Sequence, residues 1–202
     1  MIETIGWNLA GMGLAHTGQL PSDSARAGGI AGFYDTGDDH ESLTRRPRDR
    51  QDNATPSGNA MITTVLLKLS DLAMAHRYAD VAQENLGAVQ RFMAQAPLGF
   101  GQWLIALDYA LSRPFEIAIV GSPDDEATQQ LLGAAMAGFQ PHQVVAYGPA
   151  AQARGTGPAP AVPLLEDRGL VDGQPTAYVY RDFVCQSPIT EPEALQRVIE
   201  ST

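Results

Sequence analysis

The stretch "RPFEIAIVGSPDDEATQQLLGAAM", residues 113–136, is where a helical chain changes its architecture. Pro114 stops whatever helix precedes it, and Phe115, Ile117, Ile119 and Val120 follow as a short β-prone run without helical spacing. The Ser122-Pro123-Asp124-Asp125-Glu126 segment then reads as a helix start, with a cap, a proline in the first position and acids facing the positive end of the dipole. Leu131, Leu132, Ala135 and Met136 give that helix an apolar face. "QVVAYG", residues 143–148, is the next strand, so the unit is strand-helix-strand with an expected right-handed crossover. "PTAYVYRDFV", residues 175–184, alternates as a third strand, and Thr190 with Glu193 spells a capping box for a last helix ending about Ile199. The small-residue and proline-rich run 149–163 between them is a loop.

Upstream the pattern is helical. Thr55 is placed as an N-cap and Pro56 as the first helical residue, and Met61, Ile62, Val65, Leu66, Leu69 and Leu72 repeat at helical spacing. After a break near His76, Tyr78, Val81, Ala82, Leu86, Val89 and Met93 repeat it again, which predicts an antiparallel pair of helices of roughly 20 and 17 residues. Pro97 closes the pair. A third helix over about Gln102 to Leu111 carries Trp103, Leu104, Leu107 and Tyr109, whose rings are either core or platforms for sugar stacking. Residues 2–16 read as a weak helix interrupted by Gly6, Gly11 and Gly13, and 17–29 as a loop. Aromatic and β-branched residues around Gly37-Asp38-Asp39 predict a short hairpin with Asp38, Asp39 and His40 at its tip.

Bulk properties limit the function classes. At 202 residues with 44% hydrophobic content the chain is a folded globular protein of one or two small domains. A formal net charge of −10 argues against nucleic acid and anionic membranes as partners, because phosphate surfaces demand a positive field. Cys185 is the one cysteine, which excludes an internal disulfide or a cysteine-based zinc site and fits a cytoplasmic location. No stretch has the ~20 apolar residues of a membrane span, and the first residues lack the basic start of a secretory signal, so a soluble, unexported protein is expected.

The ordered motifs "GFYDTGDDHE", "RPRDRQDNATPSGN", "FEIAIVG" and "PTAYVYRDFVCQSPIT" resemble the C-terminal part of the thioredoxin-domain-containing family related to spermatogenesis-associated protein 20 and bacterial YyaL. The resemblance covers about residues 29–200. It implies a fold that is mainly α with a small α/β part: helical hairpins of a partial (α/α)6 toroid, akin to six-hairpin glycosidases and N-acylglucosamine 2-epimerases, then a C-terminal α/β subdomain. On this reading the chain is a fragment or a separately started piece lacking the thioredoxin part, with residues 1–28 outside the pattern, 29–113 as partial toroid and 114–202 as the α/β subdomain. Two positions depart from the pattern: Ala31 stands where Gly is usual, and Tyr180 where a Cys would partner Cys185, so no dithiol chemistry is expected.

The segment 32–59 gathers acids, a histidine and arginines before a helix start. The resemblance places it at the loop end of the toroid, where sugar chemistry needs one carboxyl as acid and another as base or nucleophile. Asp38, Asp39, His40 and Glu41 are the catalytic candidates; Asp38 and Asp39, being adjacent, point opposite ways on a strand, so a second carboxylate would come from Glu41, Asp49 or Asp52. The ligand-binding candidates are Tyr34, Arg46, Asp49, Asp52, Asn53, Ser57 and Asn59, around free helical N–H groups. Against this stands the plainer reading: aspartates as turn formers, His40 bonded to a neighbouring acid, and Arg45, Arg46, Arg48 and Arg50 tied to acids in a salt-bridge net. The acid spacing matches no calcium loop, so no metal is expected, and "IVGSPDDE" lacks the glycine pattern of nucleotide sites, so no cofactor is expected. Two functions remain open: a carbohydrate-binding protein or, as an enzyme, a glycosidase- or sugar-epimerase-like one; or a non-catalytic module that self-associates or binds a protein partner through exposed helix faces.

Overall fold

In the computed structural model the described residues are 32–35, 48–150, 162–181 and 184–201. Their order is three helices and then a mixed α/β part: α1 Gly58–Leu72, α2 His76–Gln95, a 3-10 turn Pro97–Gly99, α3 Gly101–Leu111, β1 Phe115–Val120, α4 Glu126–Ala135, β2 Gln143–Gly148, a 3-10 turn Pro163–Leu165, β3 Thr176–Arg181, β4 Val184–Cys185 and α5 Pro192–Glu200. A mainly helical chain with a small α/β part is what the sequence predicts. The chain divides into two units, one holding residues up to Leu67 with Arg77–Asp108, the other Lys68–His76 with the residues from Tyr109 on. Among the described residues no helix is long and apolar enough to cross a membrane.

In the first unit α1 starts two residues later than the sequence suggests. Pro56 is not in the helix; Ser57 is the cap, its Oγ accepting from Ala60 N at 3.2 Å and its carbonyl from Met61 N at 3.1 Å. Thr55 is thereby displaced from the capping role. The buried stripe of α1 is also rotated from the expected one. Ile62, Leu66 and Leu67 are buried, but so are Asn59 and Thr63, whereas Met61 is 46% and Val65 41% exposed. Polar residues take the inward positions because each finds a buried partner, described below. α2 runs longer than expected and buries Tyr78, Val81, Ala82, Leu86, Val89 and Met93 as its spacing predicts. Trp103 is 1% exposed and its indole N–H donates to Arg50 O at 2.8 Å, so it is core.

The second unit opens with the turn that ends α1. Ala75 N donates to Ser70 O at 2.9 Å and Met74 N to Asp71 O at 3.2 Å, with Met74 at φ 48°, the bonding of a Schellman motif in a position where glycine is usual. The sheet has order β2-β1-β3-β4. β1 and β2 are parallel from Phe115↔Gln143 to Val120↔Gly148, with α4 as the crossover, while β3 pairs antiparallel to β1 (Ile117↔Val179). β1 is central, which explains its nearly continuous apolar sequence: Ile117 and Ile119 pack with Leu131 and Ala135 of α4 and Leu195 and Ile199 of α5, while Ala118 and Val120 are buried too. The expected third strand is two strands, β3 and a two-residue β4 paired back to it as an antiparallel edge.

Local starts differ as well. α4 is capped by Asp125, whose side chain accepts from Ala127 N at 3.0 Å, rather than by Ser122, which forms a turn with Asp125 N. α5 is capped at Glu191 without a side-chain bond, so the Thr190–Glu193 capping box does not form; Pro192 in the first helical position sets that start. Gly121, between β1 and α4, is required by close approach, since a Cβ there would lie 2.2 Å from Thr128 Oγ1.

Candidate functional site

The described part of the 32–59 segment folds around the amino end of α1. Asn59 organises it. Its Oδ1 accepts from Phe33 N at 2.6 Å, and its Nδ2 donates to Phe33 O at 2.9 Å and to Asp49 O at 3.0 Å. One side-chain amide thus pairs with a peptide as a neighbouring strand would, and both its N–H groups are used. The approach demands glycine next door: Gly32 sits at φ 115°, and a Cβ there would be 2.9 Å from Asn59 Oδ1.

Carboxylates complete the loop. Asp35 Oδ2 accepts from Asp49 N at 2.7 Å, and Asp49 in turn accepts from Gln51 N at 3.2 Å and from Asn53 Nδ2 at 3.3 Å. Asp52 spans two helix starts, its Oδ1 accepting from Ser57 N and its Oδ2 from Gln102 N, each at 2.8 Å. Arg48 lies 4.9 Å over the Tyr34 ring, with Nη2 donating to Gly32 O at 3.3 Å. Burial, aided by the neighbouring Arg48 charge, pulls the Arg50 pKa below its usual value.

Some of these groups border a cavity of about 380 Å³. Tyr34, Asp49, Asn53, Ser57 and Asn59, all expected as ligand contacts, line it together with Phe33, Asp35, Thr55, Pro56 and Gly58. Asp52 is not on the wall; it holds helix starts in place. Arg46, Asp38, Asp39, His40 and Glu41 lie outside the described residues, as does most of the expected hairpin; residues 32–35 form no strand. Asp35 is the wall carboxylate that motif reading passed over. It stands next to the aromatic pair Phe33-Tyr34, and an acid following two rings before a helix start is the signal that points to it. Chemically the wall offers two carboxylate acceptors, two side-chain amides and two aromatic rings, a set that grips hydroxyl groups and the apolar face of a ring.

A second titratable cluster sits in the other unit, and no motif announced it. Tyr109 O–H donates to Asp71 Oδ2 at 2.5 Å, Lys68 Nζ is 5.4 Å from the Tyr109 ring centre, and His142 tilts against that ring at 6.5 Å. Burial raises the Asp71 carboxyl, opposed by the Tyr109 bond and His76; burial and the Asp71 charge raise Glu116. Tyr109 is pushed up by burial and then by Asp71. Its ring, 4% exposed, belongs to the core.

Three helices followed by a four-stranded mixed sheet, with a polar cavity at the amino end of the first helix, define a mainly helical protein with a small α/β part. The chain is similar to part of spermatogenesis-associated protein 20. It is 26% identical to the rat (Rattus norvegicus) protein over 157 residues, 24% to the mouse (Mus musculus) and 25% to the human (Homo sapiens) one, in each case across 78% of this chain and 20% of the relative. The chain therefore spans about a fifth of the length of these relatives. No family model matches it, and no solved structure does.

Proposed function

We propose that the chain is the C-terminal piece of a six-hairpin glycosidase-like toroid with its α/β tail, and that it binds a neutral carbohydrate in the cavity at the start of α1. The observation that carries this is the wall of that cavity: Asp35 and Asp49, with Asn53 beside them and Tyr34 as the ring, around about 380 Å³. That volume falls within the ~300–1,000 Å³ of small-molecule sites. Carboxylates accept from sugar hydroxyls, an amide both gives and accepts, and a tyrosine face packs on the C–H side of a pyranose. Asn59, with both N–H groups spent on backbone, shapes the wall rather than gripping the ligand.

As an enzyme the site would be glycosidase- or epimerase-like, with Asp38, Asp39, His40 and Glu41 as acid–base groups. Titration calorimetry of the full chain against a panel of mono- and disaccharides tests the binding. Heat is expected with at least one sugar, weakened about tenfold by Tyr34→Ala or Asp49→Asn, the loss of one stacking or charged contact. No heat with any sugar refutes the reading.

A second reading has its own observation. Met61 and Val65 on α1 and Leu104 and Ile105 on α3 are solvent-exposed, Ile105 to 56%. In a chain spanning a fifth of its relatives, such apolar helix faces suit self-association or a protein partner. Light scattering behind size exclusion decides it: a monomer at all concentrations for both the native chain and Val65→Glu removes the self-association form.

A further inference from the structure

We propose that the second unit holds a binding site for a small oxyanion, a carboxylate or phosphate group, in a cavity of about 400 Å³ at the amino-terminal edge of the sheet. Arg181 is its anchor. It is the last residue of β3, and its guanidinium lies 4.9 Å over the ring of Phe115, the first residue of β1. This cation–π contact restrains the guanidinium at the cavity wall, and its planar fork of N–H donors suits a bidentate oxyanion. Among the described residues the Arg181 side chain makes no hydrogen bond or ion pair.

The rest of the wall is polar. Arg113 and His142 face the same space, with Ser112 and Gln140 beside them. His142 is held from two sides, by Phe115 N donating to its carbonyl at 2.9 Å and by the Tyr109 ring. In a chain with 23 acids and 13 bases, two guanidiniums and an imidazole around one cavity run against the average composition. Glu200 is the acid on that wall. α5 ends at Glu200 and α3 at Leu111, just before Ser112 and Arg113, and the free carbonyls of those helix ends carry partial negative charge. The long-range field is therefore largely cancelled. Selection rests on the short-range fork, which matches a carboxylate or phosphate edge and gives chloride a single contact.

The test is an amide NMR titration of the full chain with inorganic phosphate, acetate or chloride at matched ionic strength, each to about 50 mM, where screening of surface charge is common to all three. Shifts are expected around Phe115, His142 and Arg181 with phosphate or acetate and not with chloride. Arg181→Gln should weaken them about tenfold, the loss of a charged bidentate contact. Its unchanged spectrum elsewhere reports intact folding, and Arg113→Gln gives a second measure should Arg181→Gln unfold. Shifts with phosphate alone name a phosphate ester as ligand, and with acetate alone a carboxylate. Equal shifts with chloride, shifts scattered over the surface, no shifts at all, or native affinity in the folded Arg181→Gln chain each overturn the site.

Discussion

Removing the Asp52 side chain should cost more than any other single surface change in the helical unit. Its carboxylate accepts from Ser57 N at the start of α1 and from Gln102 N in the first turn of α3, both at 2.8 Å. Neither amide has a partner inside its own helix, as is general for the first helical N–H groups. Losing one such cap costs ~1 kcal/mol, within a range of ~0.5–2. Asp52→Ala removes two, so a loss of about 2 kcal/mol is expected, with ~4 as the upper bound. Asp52→Asn keeps one carbonyl acceptor but turns an N–H pair toward the other amide, and gives up a charge facing two positive helix ends; about 1 kcal/mol is expected. Urea unfolding followed by Trp103 fluorescence measures both, with Trp7 changed to Phe so that Trp103 alone reports. Trp103 is a suitable probe because it is buried and bonded to Arg50 O in the same unit. A native > Asn > Ala order supports the bridging role. Asp52→Ala within ~0.5 kcal/mol of the native chain, the usual effect of a neutral surface change, would refute it.

The carboxyl pair in the second unit predicts a pH dependence. Asp71 and Glu116 both take up protons more readily in the folded state, so their contribution to stability is full below the ordinary carboxylate range and is lost as pH rises through the raised folded values. Thermal unfolding should therefore show this unit losing stability as pH rises from the ordinary carboxylate range through the raised values, and Glu116→Gln should flatten that slope and raise the melting temperature at neutral pH; an unchanged slope contradicts the pairing. Gly121→Ala should destabilise by ~1–3 kcal/mol through overpacking against Thr128, and Thr128→Ala in the same chain should recover much of it, as read by denaturant midpoints. Met74→Gly should stabilise by ~1 kcal/mol, because the residue at φ 48° then carries no Cβ penalty; a lower midpoint would show that the Met74 side chain contributes more than its backbone strain costs.

Local rules carried well where local physics decides. The run from Phe115 to Val120, the crossover helix and the strand at 143–148 follow from β-propensity and apolar spacing, and the parallel pairing follows from the crossover. Helix starts carried poorly. Ser57 and Asp125 cap where Thr55 and Ser122 were expected, because several capping residues stand within three positions and tertiary bonds choose among them: Asp52 fixes Ser57 N, which no motif can show. The cavity wall was half legible. Tyr34, Asp49, Asn53, Ser57 and Asn59 stand out in the sequence by their concentration before a helix, whereas the separate work of Asp52 and Asn59 as braces depends on contacts across 50 and 26 positions of chain. Asp71, Tyr109 and Glu116 come together from two helices and a strand, a meeting that spacing cannot announce.

The rotated face of α1 shows why apolar periodicity misjudged the helix that builds the site. Asn85 Nδ2 on α2 donates to Thr63 Oγ1 at 3.1 Å, Thr63 Oγ1 donates to Asn59 O at 2.7 Å, and Asn59 grips Phe33 and Asp49. On the adjoining side Gln102 Nε2 of α3 donates to Thr64 Oγ1 at 3.0 Å. A hydrophobic stripe alone would let α1 turn by about one residue, roughly 100°, and bury Met61 and Val65 at similar gain, since burial is non-directional. Buried hydrogen bonds are not interchangeable in that way: rotating α1 would strand Asn59, Thr63 and Asn85 at ~1–3 kcal/mol each. The polar ladder therefore selects one rotation of α1 and, through Asn59, the same bonds set where the Phe33–Asp35 loop lies against the cavity. Register of the helix and shape of the wall are one choice, made by three polar side chains at the expense of leaving Met61 and Val65 in solvent.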